Sequence, residues 1–268
     1  MFKRTITTII GLPILIFLVY SGGLLTTILS TVAAIMGLRE LYTALSGKHK
    51  PIHFLGYIFT IIYFAALYLF GSGYTQIITL TIFIIMAQTC LVIFYKKLTL
   101  KECIGTIYGF LYIPFLLSFL LLTREHELGQ LYVWLIFTSA FGCDTFAYLT
   151  GVTIGKHKLT NTPSPNKSVE GLIGGIIGAA FVGGLYGVLM SRFFEAPENF
   201  ILSAIIISSL AAAFGVVGDM AASAIKRNTG IKDFGNIFPG HGGVLDRIDS
   251  IVVAAPIVYL SMNLTFWL

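Results

Sequence analysis

Residues 74–95 read YTQIITLTIFIIMAQTCLVIFY, and Lys96-Lys97 follow at once. These 22 residues carry no charge. An α-helix rises about 1.5 Å per residue, so a run of this length crosses the roughly 30 Å of a bilayer's hydrocarbon layer. Outward from it the pattern repeats. Charged or turn-forming breaks cut the 268 residues into nine apolar stretches, at about 5–20, 23–44, 52–71, 74–95, 103–122, 131–151, 170–190, 201–224 and 249–267. Composition agrees: 56% of residues are hydrophobic and 11% are charged, against roughly 25% charged in a soluble domain. The mean hydropathy is +0.89. Twenty-nine charged residues cannot shell a water-soluble core, and a disordered chain needs low hydrophobicity. The apolar runs suit helices better than barrel strands. The expected fold class is all-α: a polytopic integral membrane protein of about nine transmembrane helices, forming one membrane-embedded domain over residues 1–268. The first stretch follows Lys3-Arg4 like a signal peptide. No small-x-small cleavage site follows it, and it is expected to stay as a membrane helix.

The loops set the orientation. With the N-terminus inside, fifteen Lys and Arg fall on the cytoplasmic side, and only Arg124 and Arg192 fall outside. That bias places the N-terminus in the cytoplasm and the C-terminus outside. It also makes the net charge of +5 chiefly an orientation signal, with attraction to anionic membrane lipids second. The basic residues are scattered, so no nucleic-acid partner is expected. The location expected is the cytoplasmic (inner) membrane. Cys90, Cys103 and Cys143 form no C-x-x-C pair and read as small apolar residues inside helices. Gly171, Gly174, Gly175 and Gly178 make a small-residue face on the seventh stretch, which permits close helix packing.

Acidic residues inside membrane helices cost about 2.5–3.5 kcal/mol at the centre, so they are functional candidates. Glu125, Glu127, Glu195 and Glu198 fall in outer loops. Glu40 and Glu102 stand at helix ends beside basic residues and read as interfacial charges. The other acids are Asp144, Glu170, Asp219, Asp233, Asp246 and Asp249, all in the second half of the chain.

Residues 218–250 read GDMAASAIKRNTGIKDFGNIFPGHGGVLDRIDS. Asp219, Ser223 and Lys226 are spaced i, i+4, i+7 and share one helix face. Asp246 and Asp249 are spaced i, i+3 at the start of the last helix. Between them, Gly240, Gly242 and Gly243 flank His241 and let backbone N–H groups approach an anion such as phosphate just before a helix N-terminus. Lys226, Arg227, Lys232 and Arg247 add positive charge. Carboxylates beside phosphate-binding cations suggest Mg²⁺. Taken singly, each feature also fits a charged loop with turns and an ion pair such as Asp219 with Lys226. The second long loop, 152–169, is expected on the same membrane side. There Ser164 offers a hydroxyl, Lys167 a point charge, and Ser168 a helix cap. Asp144 and Tyr148, at i and i+4, extend the polar lining.

The run Ser223-x-Ile-Lys-Arg-x4-Lys-Asp-x-Gly-x2-Phe-Pro-x-His-Gly-Gly-Val-x-Asp-Arg-Ile-Asp249 resembles the C-terminal motif of the phosphatidate cytidylyltransferases (CDP-diacylglycerol synthases) over 27 residues. The stretches SPNKSVEG at 164–171 and DTFAY at 144–148 resemble the same family. Asn166 stands where the family has a first lysine, so only Lys167 carries over. Ala222 stands where the family often has a glutamate. The resemblance implies an all-helical membrane fold, a homodimer, and the reaction of CTP with phosphatidate to CDP-diacylglycerol and pyrophosphate. It implies Mg²⁺, with a second cation left open. On this reading Asp219 and Asp246 bind the metal, with Asp144 and Asp249 as further ligands or partners of the ligands. Lys226, Arg227 and Arg247 hold phosphates, with Lys232 nearby, and the 239–243 loop wraps the nucleotide phosphates. His241 donates to a phosphate or stands near the leaving pyrophosphate. Ser164 and Lys167 meet a substrate phosphate from the opposite side. Residues 131–268 are expected to carry the site, and 1–130 to serve as scaffold and dimer surface. Competing readings are a CTP-dependent enzyme acting on another lipid phosphate or a polyprenol, and a secondary transporter. The one-sided cluster of polar residues, all in one half, argues against the transporter.

Overall fold

The computed structural model describes residues 2–47, 50–160, 162–237 and 242–265. Nine helices run through them: α1 (Phe2–Ser21), α2 (Gly23–Leu45), α3 (His53–Phe70), α4 (Tyr74–Ile93), α5 (Leu100–Glu125), α6 (Gly129–Thr153), α7 (Val169–Phe193), α8 (Phe200–Thr229) and α9 (Leu245–Thr265). Each overlaps one of the nine expected stretches. Among the described residues there is no strand, only an isolated antiparallel bridge between Lys158 and Ser168. Seven helices, α2–α8, are long and apolar enough to cross a membrane. Their outer faces match that solvent. On α4, Ile77, Ile78, Ile85 and Val92 are each more than half exposed, an apolar row that water would penalise and lipid does not. The chain is an integral membrane protein.

Local chemistry sets the helix ends. Thr99 precedes α5, and its N–H donates to the Glu102 carboxylate at 2.5 Å, closing the first turn. So Glu102 is the local helix-end charge its sequence position suggests. α8 stops at Thr229 because Gly230 turns the chain with φ +77°, a left-handed value that glycine adopts freely. Within α5 the ladder widens to a π turn at Leu111–Phe115, which contains Pro114. Proline brings no N–H to an α-helical bond, and one extra residue per turn accommodates it.

The chain forms two compact units. The first is Met1–Leu121 with Asn228–Arg247; the second is Leu122–Arg227 with Ile248–Leu268. Of the described residues, 228–237 and 242–247 belong with the first helices. In the first unit several buried polar groups pair with one another, as lipid offers them no partner. The Tyr42 hydroxyl donates to the Thr106 carbonyl at 2.7 Å, and the Ile52 N–H donates to Thr106 Oγ1 at 2.7 Å. The Tyr63 hydroxyl meets Ser118 Oγ at 2.9 Å. Phe83 stacks on Phe110 with centroids 4.2 Å apart.

The second unit is built on close backbone approach. On α7, a Cβ added to Gly175 would stand 2.9 Å from the Cys143 carbonyl oxygen and 3.0 Å from Ala147 Cβ, both on α6. Thr150 and Phe146 of α6 fill the space over Gly174 and Gly178. The expected small-residue face is therefore the α6–α7 interface. A Cβ on Gly218 of α8 would meet Val253 of α9 at 2.8 Å. Where apolar burial gives helices no reason to associate, small residues let dispersion and backbone contacts do so. Cys143 is buried in this packing and all three cysteines are free.

Candidate active site

In the second unit the loop between α6 and α7 folds back on itself. The Leu159 N–H donates to the Lys167 carbonyl and the Val169 N–H to the His157 carbonyl, both at 2.9 Å. Glu170, in the first turn of α7, ties the loop's start. Its carboxylate accepts from the backbone N–H of Lys156 at 3.1 Å and of His157 at 3.2 Å, and meets His157 Nδ1 at 2.5 Å. Ser168 is the cap expected of it: its Oγ accepts the Gly171 N–H at 3.1 Å. Ser164 is half-buried, and its carbonyl accepts the Lys167 N–H at 3.2 Å.

The turn thus made aims Lys167 across at α8, where its ammonium donates to Asp219 Oδ2. The two side chains are 30% and 27% exposed. Sequence spacing offered Lys226 as a partner for Asp219; the structure supplies Lys167. Beside this pair lies a cavity of about 390 Å³, whose lining includes Asp144, Tyr148, Lys158, Asn166, Lys167 and Ser168. The i, i+4 pair Asp144 and Tyr148 lines one cavity, as expected. Ser223 and Lys226 follow Asp219 along α8 and are half-buried, while Arg227 is exposed. Asp249, one turn into α9, is 9% exposed, and its Oδ1 accepts the Ser250 N–H at 2.8 Å. The charges of Asp219, Lys226 and Asp144 all act on it.

Among the described residues, no three His, Cys, Asp or Glu side chains stand close enough to share a metal ion. Asp249 feels the charges of Asp144 and Asp219, without the three forming a cage. That donor set suits a hard cation that takes one or two carboxylates and completes its shell with phosphate oxygens and water. It does not suit an ion that needs an all-protein cage.

In the first unit, the 228–247 segment centres on two carboxylates. Asp246 Oδ2 accepts the N–H of Phe234 at 2.9 Å and of Gly243 at 3.0 Å. Gly242 adopts φ +81°, and a Cβ on it would stand 2.9 Å from Asp246 Oδ2. The second carboxylate is Glu40 of α2. Its Oε1 accepts the Val244 N–H at 2.9 Å and its Oε2 the Leu245 N–H at 2.8 Å. Three consecutive amides at the start of α9 are therefore committed to carboxylates. In the folded chain the anions at this helix N-terminus are the protein's own carboxylates. Lys232 and Arg247 are exposed. Gly240 and His241 lie outside the described residues.

Glu40 is the residue that sequence reasoning misses. It reads as an interfacial charge beside Arg39, yet it is 5% exposed and Arg39 faces outward. Neighbours on a helix point about 100° apart, so a cation next in sequence is not a partner. Position supplied a usable signal. Glu40 lies inside the apolar stretch 23–44, where an acid is expensive.

The chain matches the model of the cytidylyltransferase family over residues 2–265. It is 32% identical over 261 residues to a phosphatidate cytidylyltransferase of Staphylococcus aureus (strain COL), covering 95% of this chain and 96% of that protein. A phosphatidate cytidylyltransferase of Staphylococcus epidermidis is 31% identical over the same length. One from Thermotoga maritima is 35% identical over 150 residues, 56% of this chain and 55% of that protein.

Proposed function

The chain belongs to the cytidylyltransferase family, and on that premise we propose that it joins CTP to phosphatidate, giving CDP-diacylglycerol and pyrophosphate for phospholipid synthesis. A phosphate oxygen of the lipid attacks the α-phosphorus of CTP. The bond from that phosphorus to the bridging oxygen breaks, and pyrophosphate leaves with the electron pair. The nucleophile is already an anion, so the reaction requires no covalent enzyme intermediate. The protein must bring two anions together, align them and offset the charge that builds on the leaving group.

The observation that carries this reading is the second unit's cavity. It sets the cations Lys158 and Lys167 beside the carboxylate of Asp144, in a wall that also exposes Tyr148 and Val152. Charge for phosphate and an apolar flank for a lipid meet in one place. Lys167 acts on a substrate phosphate, and its pairing with Asp219 holds the ammonium in position. Lys226 and Arg227 of α8 supply further positive charge within the second unit; Lys232 and Arg247 belong to the first unit. Mg²⁺, when bound, neutralises phosphate charge. Asp219, with Asp144 and Asp249, is the group of the second unit that would hold it, and a second cation is open. The finer topology belongs to the same proposal: nine spans in the cytoplasmic (inner) membrane, N-terminus in the cytoplasm, C-terminus outside, the reacting side facing the cytoplasm, and a homodimer. The fifteen-to-two distribution of basic residues supports that orientation.

The test is pyrophosphate release by the purified protein in detergent, with CTP and phosphatidate, with and without Mg²⁺. Release that needs both lipid and Mg²⁺, with a CDP-lipid as co-product, is the expected result. Release only with another lipid phosphate would move the substrate. No nucleotide chemistry with any lipid phosphate would sink the proposal.

A further inference from the structure

The amides that open α9 are held by a side chain from a helix that the sequence motif does not include. Glu40 lies near the end of α2, is 5% exposed, and accepts from Val244 at 2.9 Å and Leu245 at 2.8 Å. Two glycines shape its seat. A Cβ on Gly235 would stand 2.9 Å from Glu40 Cδ, and one on Gly243 would run into the Glu40 carboxylate itself. The same turn carries Asp246, which takes the Gly243 N–H at 3.0 Å and the Phe234 N–H at 2.9 Å. Asp246 and Glu40 thus divide one run of amides. Asp246 takes the first, and Glu40 the second and third. Neither can move without disturbing the other's hydrogen bonds. Carboxylates that accept from backbone N–H groups at a helix N-terminus are among the stronger fixed contacts available to a protein.

We propose that Glu40 is a positioning residue for the reaction: its carboxylate clamps residues 243–247 and thereby sets the orientation of Asp246 and Arg247 toward the nucleotide. It touches no substrate. This rests on the function proposed above, and deepens it by giving the N-terminal helices a part in the chemistry. It also gives Gly235 and Gly243 a steric reason, room for a carboxylate.

Two measurements decide it. The first needs no activity and no variant. Hydrogen–deuterium exchange of the protein in detergent should find the amides of Gly243, Val244 and Leu245 protected at least tenfold over those of Ser164 and Asn166 in the loop before α7. Exchange as fast as that loop would overturn the clamp. The second is Glu40→Gln, which keeps the shape but turns an NH₂ toward one of the two amides. Its expected effects are faster exchange at 243–245 and a 10- to 100-fold fall in kcat/KM for CTP, the usual size for losing a residue that orients a working group. The KM for phosphatidate should move less than twofold. Gly243→Ala, which pushes against the same carboxylate, should give the same split. A kcat/KM for CTP within twofold of wild type, or an equal loss against both substrates that tracks the fraction of folded protein, would overturn the positioning role. Should the wild-type chain itself show no cytidylyl transfer, the function proposed above fails, and the exchange experiment still decides whether Glu40 holds the segment.

Discussion

The Lys167–Asp219 pair makes a prediction whose size follows from its surroundings. Exposed ion pairs contribute about 0.2–1 kcal/mol, and breaking a fully buried pair costs about 3–5 kcal/mol because one charge is stranded. Here the side chains are 30% and 27% exposed, so solvent screens part of the interaction but does not replace it. Lys167→Met should therefore destabilise the protein by about 1–2 kcal/mol, a drop of about 2–8 °C in the unfolding midpoint for a chain of this size. Much of that cost is Asp219 left without its cation, so adding Asp219→Asn should return part of it. The double variant should unfold at a higher temperature than Lys167→Met alone. Both single variants should lose nearly all cytidylyl transfer, and the double should recover none. Thermal unfolding in detergent at one fixed scan rate, read beside pyrophosphate release, measures both. Strictly additive midpoints would mean that the two side chains do not interact in the folded protein. The pair would then be a coincidence of proximity, and the role given to it in positioning a phosphate would fall.

Three further outcomes follow from packing and capping. Gly175→Leu should cost about 1–3 kcal/mol by forcing α6 and α7 apart, seen as a lower unfolding midpoint. Gly105→Ala should be neutral or stabilising by up to about 1 kcal/mol, because its Cβ would meet Pro51 at an ordinary 3.6 Å. An equal loss from both would refute the close approach of α6 and α7. Ser168→Ala removes the cap of α7 and should cost about 1 kcal/mol, with faster amide exchange confined to Ser168 and the first turn.

Helix existence was legible because the bilayer imposes it. A backbone in lipid must satisfy its own hydrogen bonds, so an uncharged run such as 74–95 has essentially one way to fold. The α6–α7 contact was legible for a related reason: Gly171, Gly174, Gly175 and Gly178 recur at helical spacing on one face, and only small residues permit such an approach. The caps of Ser168 and Glu102 act within three residues, where local spacing determines contact. Within the second unit, Asp144 and Tyr148 share a cavity because i and i+4 always share a face. Lys167 with Asp219 was not legible. The two lie 52 residues apart, and the α8 periodicity offered Lys226 as a nearer candidate.

Glu40 was hidden for a deeper reason. Its partners are 204 and 205 residues away, and they are backbone amides, which every residue but proline possesses. A side-chain partner leaves a chemical signature in the sequence; an amide leaves none. What did leave a mark was the space the carboxylate needs, written as glycine at 235 and 243. Glycine is ambiguous in a sequence, because it serves a turn, a ligand's approach and a neighbour's bulk equally well. Read beside His241 and the basic residues, Gly240, Gly242 and Gly243 suggested room for a phosphate. In the folded chain Gly242 has the left-handed backbone of a turn, while Gly235 and Gly243 make way for an acid from α2. The N-terminal half, which shows no chemistry of its own in the sequence, then contributes through the buried carboxylate of Glu40. A carboxylate as buried as Glu40 needs partners, and here the amides that open α9 hold it.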